Sequence, residues 1–409
     1  MMMLKGWVSV YSLLQLTRCY SASTTDRVQN AKTALDYVSQ IETNQACNGG
    51  TEEVLTLAFN HSAWYTLTDP AIRTANYLSK ILAMDDSKLN RLDDAMFYSF
   101  VRNNVHGDTL IFGSAIALKP GLYDKYEKFC PYAFKKNNSV SAFDIAVNYD
   151  YLLPSTEWYN AVKIKDFSNA TVKEDRITYN FSDPSQNNVP FLQPIASYSD
   201  GRWTLPYYDC GGGDIWMVTY SSPILSIDLS GQPVFQGVAT IDIELTNIDI
   251  NQCDATKADK AGALDVFRGT HNCQPTTKCV ALVGQGFKRG SYHCACDDGY
   301  YFPNTTAAVK AYNGAEIEAY IDLTNTSDIA LRYKCLPCSR GCDKCVDTTP
   351  CLFQTNPVVR SLVVFVIIVM IIGCCFISII VLKYKNEMVN GNAFSLRHMY
   401  LGSIHGVAE

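Results

Sequence analysis

The chain has 409 residues, 18% charged and 47% hydrophobic, with a formal net charge of -6. That content supports a buried core spread over two or three domains and excludes a disordered or fibrous chain. Neither sign of charge gathers into a long run, so the footprint of a nucleic-acid binder is absent.

The first 23 residues set Lys5 before an apolar stretch from Gly6 to Leu16 and end in small residues. This is the layout of a signal peptide, with an uncleaved anchor as the alternative. Val28, Ala31, Leu35, Val38 and Ile41 then recur at steps of three and four, as one face of an amphipathic helix does. Asp69 before Pro70 reads as an N-cap followed by proline at the first helical position, with Ile72, Ala75, Leu78 and Leu82 as the apolar face. A third helix is expected from near Ser87, carrying Leu89, Leu92 and Met96, and the apolar run LIFGSAIAL over 110–118 is strand-like.

After a loop-rich middle, IWMVTY over 215–220 and VFQGVATIDIEL over 234–245 read as neighbouring strands across a turn at 231–233. Helices first and a sheet afterwards predict an α+β domain with a central antiparallel sheet over 24–252.

Composition changes at Cys253. Of 16 cysteines, Cys19 falls in the signal peptide and Cys374 and Cys375 in a membrane helix. Ten lie between Cys253 and Cys351: Cys253, Cys273, Cys279, Cys294, Cys296, Cys335, Cys338, Cys342, Cys345 and Cys351. These can pair among themselves in an oxidising lumen, which leaves Cys47, Cys130 and Cys210 with one odd thiol. GSYHCACDDGYY has the spacing of an EGF-like module, so 253–356 is expected to be a disulfide-rich EGF-like stalk. Two C-x-x-C pairs separated by three residues are too close for a four-thiolate zinc site and favour disulfides. Asp249-Ile250-Asn251-Gln252-Cys253 resembles the start of a calcium-binding EGF module, but Phe287 stands where a second oxygen ligand belongs, and no metal site is assigned.

From Ser361 to Leu382 there are 22 residues without a charge, which at about 1.5 Å per residue cross a hydrocarbon core of about 30 Å. The N-x-[ST] sequons at Asn60, Asn137, Asn169, Asn180, Asn304 and Asn325 all precede this helix. Lys383, Lys385 and Arg397 follow it against Arg360 before it, which places the tail 383–409 in the cytoplasm and the N-terminus outside, at the plasma membrane. Among His61, His106, His271 and His293 no catalytic spacing occurs, and Gly211-Gly212-Gly213 lacks the rest of a P-loop, so neither an enzyme nor a cofactor is expected.

The segment RWTLPYYDC over 202–210 gathers aromatics, an acid and a cysteine. Ordinary loop anchoring is one reading; the other sets Asp209 and Tyr207 against a small cation, through charge-assisted hydrogen bonding and cation–π attraction.

Taken together, PYYDC with WMVTYSS, GVATIDIELTNIDINQC, GTHNC with GQGFKRGSYHCAC, and CLPCSRGCDKCVDTTPC running into the helix resemble the orphan class C G-protein-coupled receptors with a Cache ectodomain, the metabotropic glycine receptor-like group. The resemblance covers roughly 90–382. It implies a PAS-like Cache fold that binds a small amino acid, an EGF-like stalk and a seven-helix membrane domain. Carried over, it puts Tyr207, Asp209 and Asp242 in the pocket, pairs Cys210 with Cys47, and leaves Cys130 unpaired. Arg102 is the chosen partner for a ligand carboxylate, with Ser114 as the alternative. This chain departs in having one apolar helix and 27 residues after it, so a truncated product, an incomplete gene model, or a single-pass form dimerising with itself or a full-length partner are the expectations. A non-catalytic adhesion or scaffold protein, or a decoy co-receptor without transduction, is the alternative function.

Overall fold

The computed structural model describes residues 27–41, 51, 53–57, 59–84, 88–137, 139–177, 189–210, 212–256, 262–324, 328–351 and 357–404. The expected signal peptide, Cys47, Asn180 and Asn325 lie outside the described residues. The chain divides into two compact units: Met1–Ala295 with Ala311–Lys334, and Cys296–Lys310 with Cys335–Glu409.

The larger unit begins with a helix over 27–41 (α1), whose Ala31, Leu35, Val38 and Ile41 are buried against Trp216, Val218, Ile241 and Ile243. A 3-10 helix, His61–Thr68, runs straight into α2 (Asp69–Met84). Asp69 therefore does not cap. It already has helical backbone angles, and the cap is Asn60, which accepts from the Ser62 N–H at 3.2 Å. The third helix, α3 (Asp94–Val105), starts later than its apolar spacing suggests because Asp93 supplies the N-cap; Leu89 and Leu92 are buried in the turn before it.

The strands in chain order are β1 (Ile111–Leu118), β2 (Pro131–Lys136), β3 (Ser139–Asp144), β4 (Thr171–Ile177), β5 (Val189–Ile195), β6 (Arg202–Trp203), β7 (Tyr207–Tyr208), β8 (Trp216–Ile227) and β9 (Pro233–Glu244), with α4 (Glu157–Lys163) before β4. Seven form an antiparallel sheet in the order β3-β2-β1-β9-β8-β6, with β7 also on β8. Its spine is the long β8–β9 hairpin. The turn is held by Asp228, whose Oδ1 accepts from the N–H groups of Ser230 and Gln232 at 2.9 and 2.8 Å, with Gly231 at φ 82°.

Strand alternation decides what each face meets. Ile116, Ala133, Ile224 and Ala239 pack against Leu78 and Leu82 of α2 and Phe97 and Val101 of α3. Ala115, Ala117, Leu225 and Val238 point the other way, toward Trp158 and Tyr159 of α4.

The same unit holds the first part of the cysteine-rich region, with β10 (Thr277–Ala281), β11 (Tyr292–Cys296) and the later β13 (Ala311–Asn313) in one small sheet. Disulfides Cys253–Cys279 and Cys273–Cys294 tie it, and α5 (Gly314–Thr324) buries Ile317 against Tyr292. Cys210 is disulfide-bonded, while Cys130 is a buried free thiol.

In the smaller unit β12 (Tyr300–Tyr301) pairs with β14 (Leu336–Pro337), and Cys296–Cys335, Cys338–Cys345 and Cys342–Cys351 cross-link it. Both C-x-x-C pairs are thus consumed by disulfides to other cysteines. The long helix Pro357–Ile404 includes a stretch, Val358–Lys385, long and apolar enough to cross a membrane. Asn60, Asn137, Asn169 and Asn304 are exposed, as glycan acceptors must be.

Candidate ligand-binding site

A cavity of about 410 Å³ opens on the sheet face away from α2 and α3. Register builds it. Gly113 on β1 pairs with Phe134 on β2 and with Asp242 on β9; Asp242 pairs with Thr219 on β8, and Met217 pairs with Tyr207 on β7. Residues paired across antiparallel strands project to the same side, so the sheet delivers side chains from five strands to one place.

Asp242 sits at the centre, 5% exposed. Its Oδ1 accepts from the Thr219 hydroxyl at 2.7 Å, and the Tyr132 hydroxyl donates to the same carboxylate. A hydroxyl has one proton, so Thr219, which spends its own on Asp242, must accept from Tyr207, whose Oη lies 2.7 Å away. Burial pushes the Asp242 carboxyl up to about 6, opposed by the two hydroxyl donors and helped by the charge of Asp209. Tyr132 and Tyr207 are pushed well above the ordinary phenol value by burial and by Asp242, so they remain neutral donors.

Asp209 follows β7 at the start of a tight loop. Its backbone N–H donates to Ile215 and its carbonyl accepts from Asp214, both at 2.9 Å, while the Gly213 N–H donates to its Oδ2 at 2.8 Å. A Cβ on Gly212 would stand 2.3 Å from that carboxylate, so the loop can wrap the acid only with glycine there. Burial raises the Asp209 carboxyl, and the Gly213 N–H opposes the shift.

The structure brings Tyr207, Asp209 and Asp242 to one cavity and leaves Arg102 out of it. Arg102 is exposed on α3, which packs on the opposite face of the sheet through Phe97, Val101 and Val105. Ser114 also faces that way: its hydroxyl donates to the Thr240 carbonyl at 2.7 Å and accepts from Asn104 of α3 at 3.1 Å. Lysine, arginine and histidine are absent from the described lining residues.

Sequence reasoning missed Tyr132, Phe134, Phe143 and Trp158. The alternation in PYAFKK was the available signal for the first two. It also missed Gly113, where an interior strand glycine marks close approach. A Cβ there would lie 2.3 Å from Tyr132 Oη and 2.8 Å from Asp242 Oδ2. Gly113→Ala is therefore expected to displace Tyr132 from Asp242, so that a ligand held by that carboxylate would bind about tenfold more weakly, the loss of one charge-assisted hydrogen bond. Titration of ligand into the variant checks this.

The calcium-like segment is otherwise engaged. Asp249 accepts from the Gly284 and Gly286 N–H groups at 2.7 Å each, and Gln252 accepts from Gly290 at 2.8 Å.

Residues 202–301 match the GPR158/179 extracellular domain family, and 97–184 match the first PDC sensor domain of methyl-accepting chemotaxis protein-like proteins. The metabotropic glycine receptor of Bos taurus is 24% identical over 319 residues, 75% of this chain and 25% of that protein. G-protein coupled receptor 179 of Mus musculus is 22% identical over 313 residues, 71% of this chain and 12% of that protein. The chain thus spans a quarter or less of these relatives. The extracellular domain of a histidine kinase aligns with 45% of this chain and 56% of its own at a TM-score of 0.31 and 22% identity. The chain is thus a homologue of the metabotropic glycine receptor and of G-protein coupled receptor 179 over 75% and 71% of its length, and its α+β domain is Cache/PDC-like.

Proposed function

We propose that this chain is the ligand-sensing ectodomain of a cell-surface receptor that binds a small molecule by its ammonium group, amino acids such as glycine included. Binding is relayed through the disulfide-rich stalk to the membrane domain, with G-protein coupling in a full-length receptor. One observation carries the reading: a buried carboxylate, Asp242, and a half-buried one, Asp209, share an aromatic-walled cavity whose described lining supplies no cation. Charge left uncompensated in a low-dielectric site is stabilised by a cationic ligand. Cation–π contact with the surrounding rings adds to that.

The test is thermal denaturation of the full chain in detergent with amines and amino acids of increasing size. A ligand at a hundred times its Kd stabilises by about 2.7 kcal/mol, which raises Tm by several degrees. The shift should vanish in an Asp209→Asn/Asp242→Asn double variant. No shift with any amine, or a shift that survives the double variant, refutes the reading.

A further inference from the structure

The cavity is acidic at the sheet and aromatic at its walls. Tyr132 stacks with Phe134 at 5.8 Å, and Phe143 meets both edge-on at 6.3 and 6.0 Å. Tyr149 and Trp158 form a second stacked pair at 6.5 Å. We infer that the preferred ligand is an arylalkylamine, an ammonium carrying a ring-sized apolar body and no carboxylate, rather than a free amino acid. This rests on the ammonium-binding reading given above and narrows it.

Three observations converge. First, a ligand carboxylate would enter beside Asp209 and Asp242 with no lysine, arginine or histidine among the described lining residues to receive it. Arg102 lies on the far side of the sheet, as does Ser114. Second, the hydroxyl protons around Asp242 are already committed. Tyr132 and Thr219 donate to the acid, and Tyr207 donates to Thr219, so none of the three can turn to a second anion without releasing the first. Third, about 410 Å³ falls within the roughly 300–1,000 Å³ of pockets that enclose ring-bearing ligands. Glycine would leave most of that space, and the faces of Phe134, Phe143 and Trp158, in contact with water. A ring-sized body fits within it and covers part of those faces, with its ammonium at Asp242.

Four probes separate the contributions in calorimetric titrations of the full chain in lipid nanodiscs: phenethylamine, phenylalanine, methylamine and 3-phenylpropionate. Phenethylamine is expected to bind about a hundredfold tighter than phenylalanine, because an unpaired carboxylate is excluded. It should also bind about a hundredfold tighter than methylamine, from the apolar area it buries. Phenylpropionate should give no heat. Phe134→Ala should weaken phenethylamine about tenfold more than it weakens methylamine, a difference that a general loss of folding would not produce. If phenylalanine matches or exceeds phenethylamine, the inference is overturned; should that binding be lost in Asp242→Asn, the ammonium-binding reading survives it. Absence of heat with every amine overturns both.

Discussion

Asp242→Asn should make the ligand-free protein more stable at neutral pH while removing its ability to hold an amine. The carboxyl of Asp242 lies at about 6 in the folded chain against an ordinary value of 3.8, because burial disfavours the ionised form more than Thr219 and Tyr132 favour it. A folded value above the unfolded one means that ionisation opposes folding. The penalty is absent below the unfolded value, grows as pH rises from about 4, and is complete above about 6. Each unit of difference is worth about 1.4 kcal/mol, so an uncharged isostere is expected to gain about 1–3 kcal/mol at neutral pH, a rise in Tm of several degrees. Of the titratable groups around it, Asp209 also has a raised carboxyl, and Tyr132, Tyr207 and the Cys130 thiol are pushed up and stay neutral. Melting curves of both proteins from pH 4 to pH 8 check the sign: the gap must close as pH falls below 6. A variant less stable at neutral pH, or a gap indifferent to pH, would show that Asp242 is not held as an uncompensated charge. Amine affinity of the wild-type chain should fall over the same interval, since the protonated acid offers no countercharge.

A buried charge that opposes folding is a common mark of a binding site, and it explains which parts of the site could be read beforehand. Tyr207 and Asp209 stand out because an acid, aromatics and a cysteine crowd into RWTLPYYDC immediately before a strongly apolar strand. Asp242 stands out as an acid inside an otherwise apolar strand, TIDIEL, flanked by Ile241 and Ile243, which face the opposite core. Arg102 was misplaced by treating nearness in sequence as nearness in space. The spacing of Phe97, Val101 and Val105 already turns position 102 outward, and β1 meets α3 with Ser114 and Ile116 rather than with the face bearing Ala115. Tyr132, Phe134 and Phe143 come from two short strands in a stretch read as loop. Only the pairing of β1 with β2 and of β2 with β3 carries them to Asp242, and such register is not local information. The ten cysteines from Cys253 onward announced a disulfide framework but not its connectivity, which depends on which strands meet.

Arg289→Met is expected to be strongly destabilising although it lies outside the pocket. Arg289 reaches Glu318 of α5 at 2.8 Å, Asp322 at 2.9 Å and Asp36 of α1 at 3.0 Å. Asp36 and Asp322 are more than half exposed, and their ion pairs are screened and worth little. Glu318 is different: its side chain is 6% exposed, and it accepts from Tyr292 at 2.6 Å and from Asn272 at 3.0 and 2.9 Å. Removing the guanidinium strands this buried carboxylate beside two others, a loss of about 3–5 kcal/mol. For a unit of this size that corresponds to a fall in Tm of roughly 6–15 °C. Arg289→Lys keeps the charge but not the fork that serves three carboxylates, so it should fall between wild type and Arg289→Met. Arg289→Met/Glu318→Met should recover only part of the loss, because the Tyr292 hydroxyl and Asn272 amide then lack their acceptor, each such orphan costing about 1–3 kcal/mol. A single variant within about 0.5 kcal/mol of wild type would show the pair to be a surface decoration. A double variant no better than the single would move the role from charge compensation to packing. If both expectations hold, the Arg289–Glu318 pair is the electrostatic centre of the cysteine-rich segment, and Asp36 of α1 joins it only at an exposed edge.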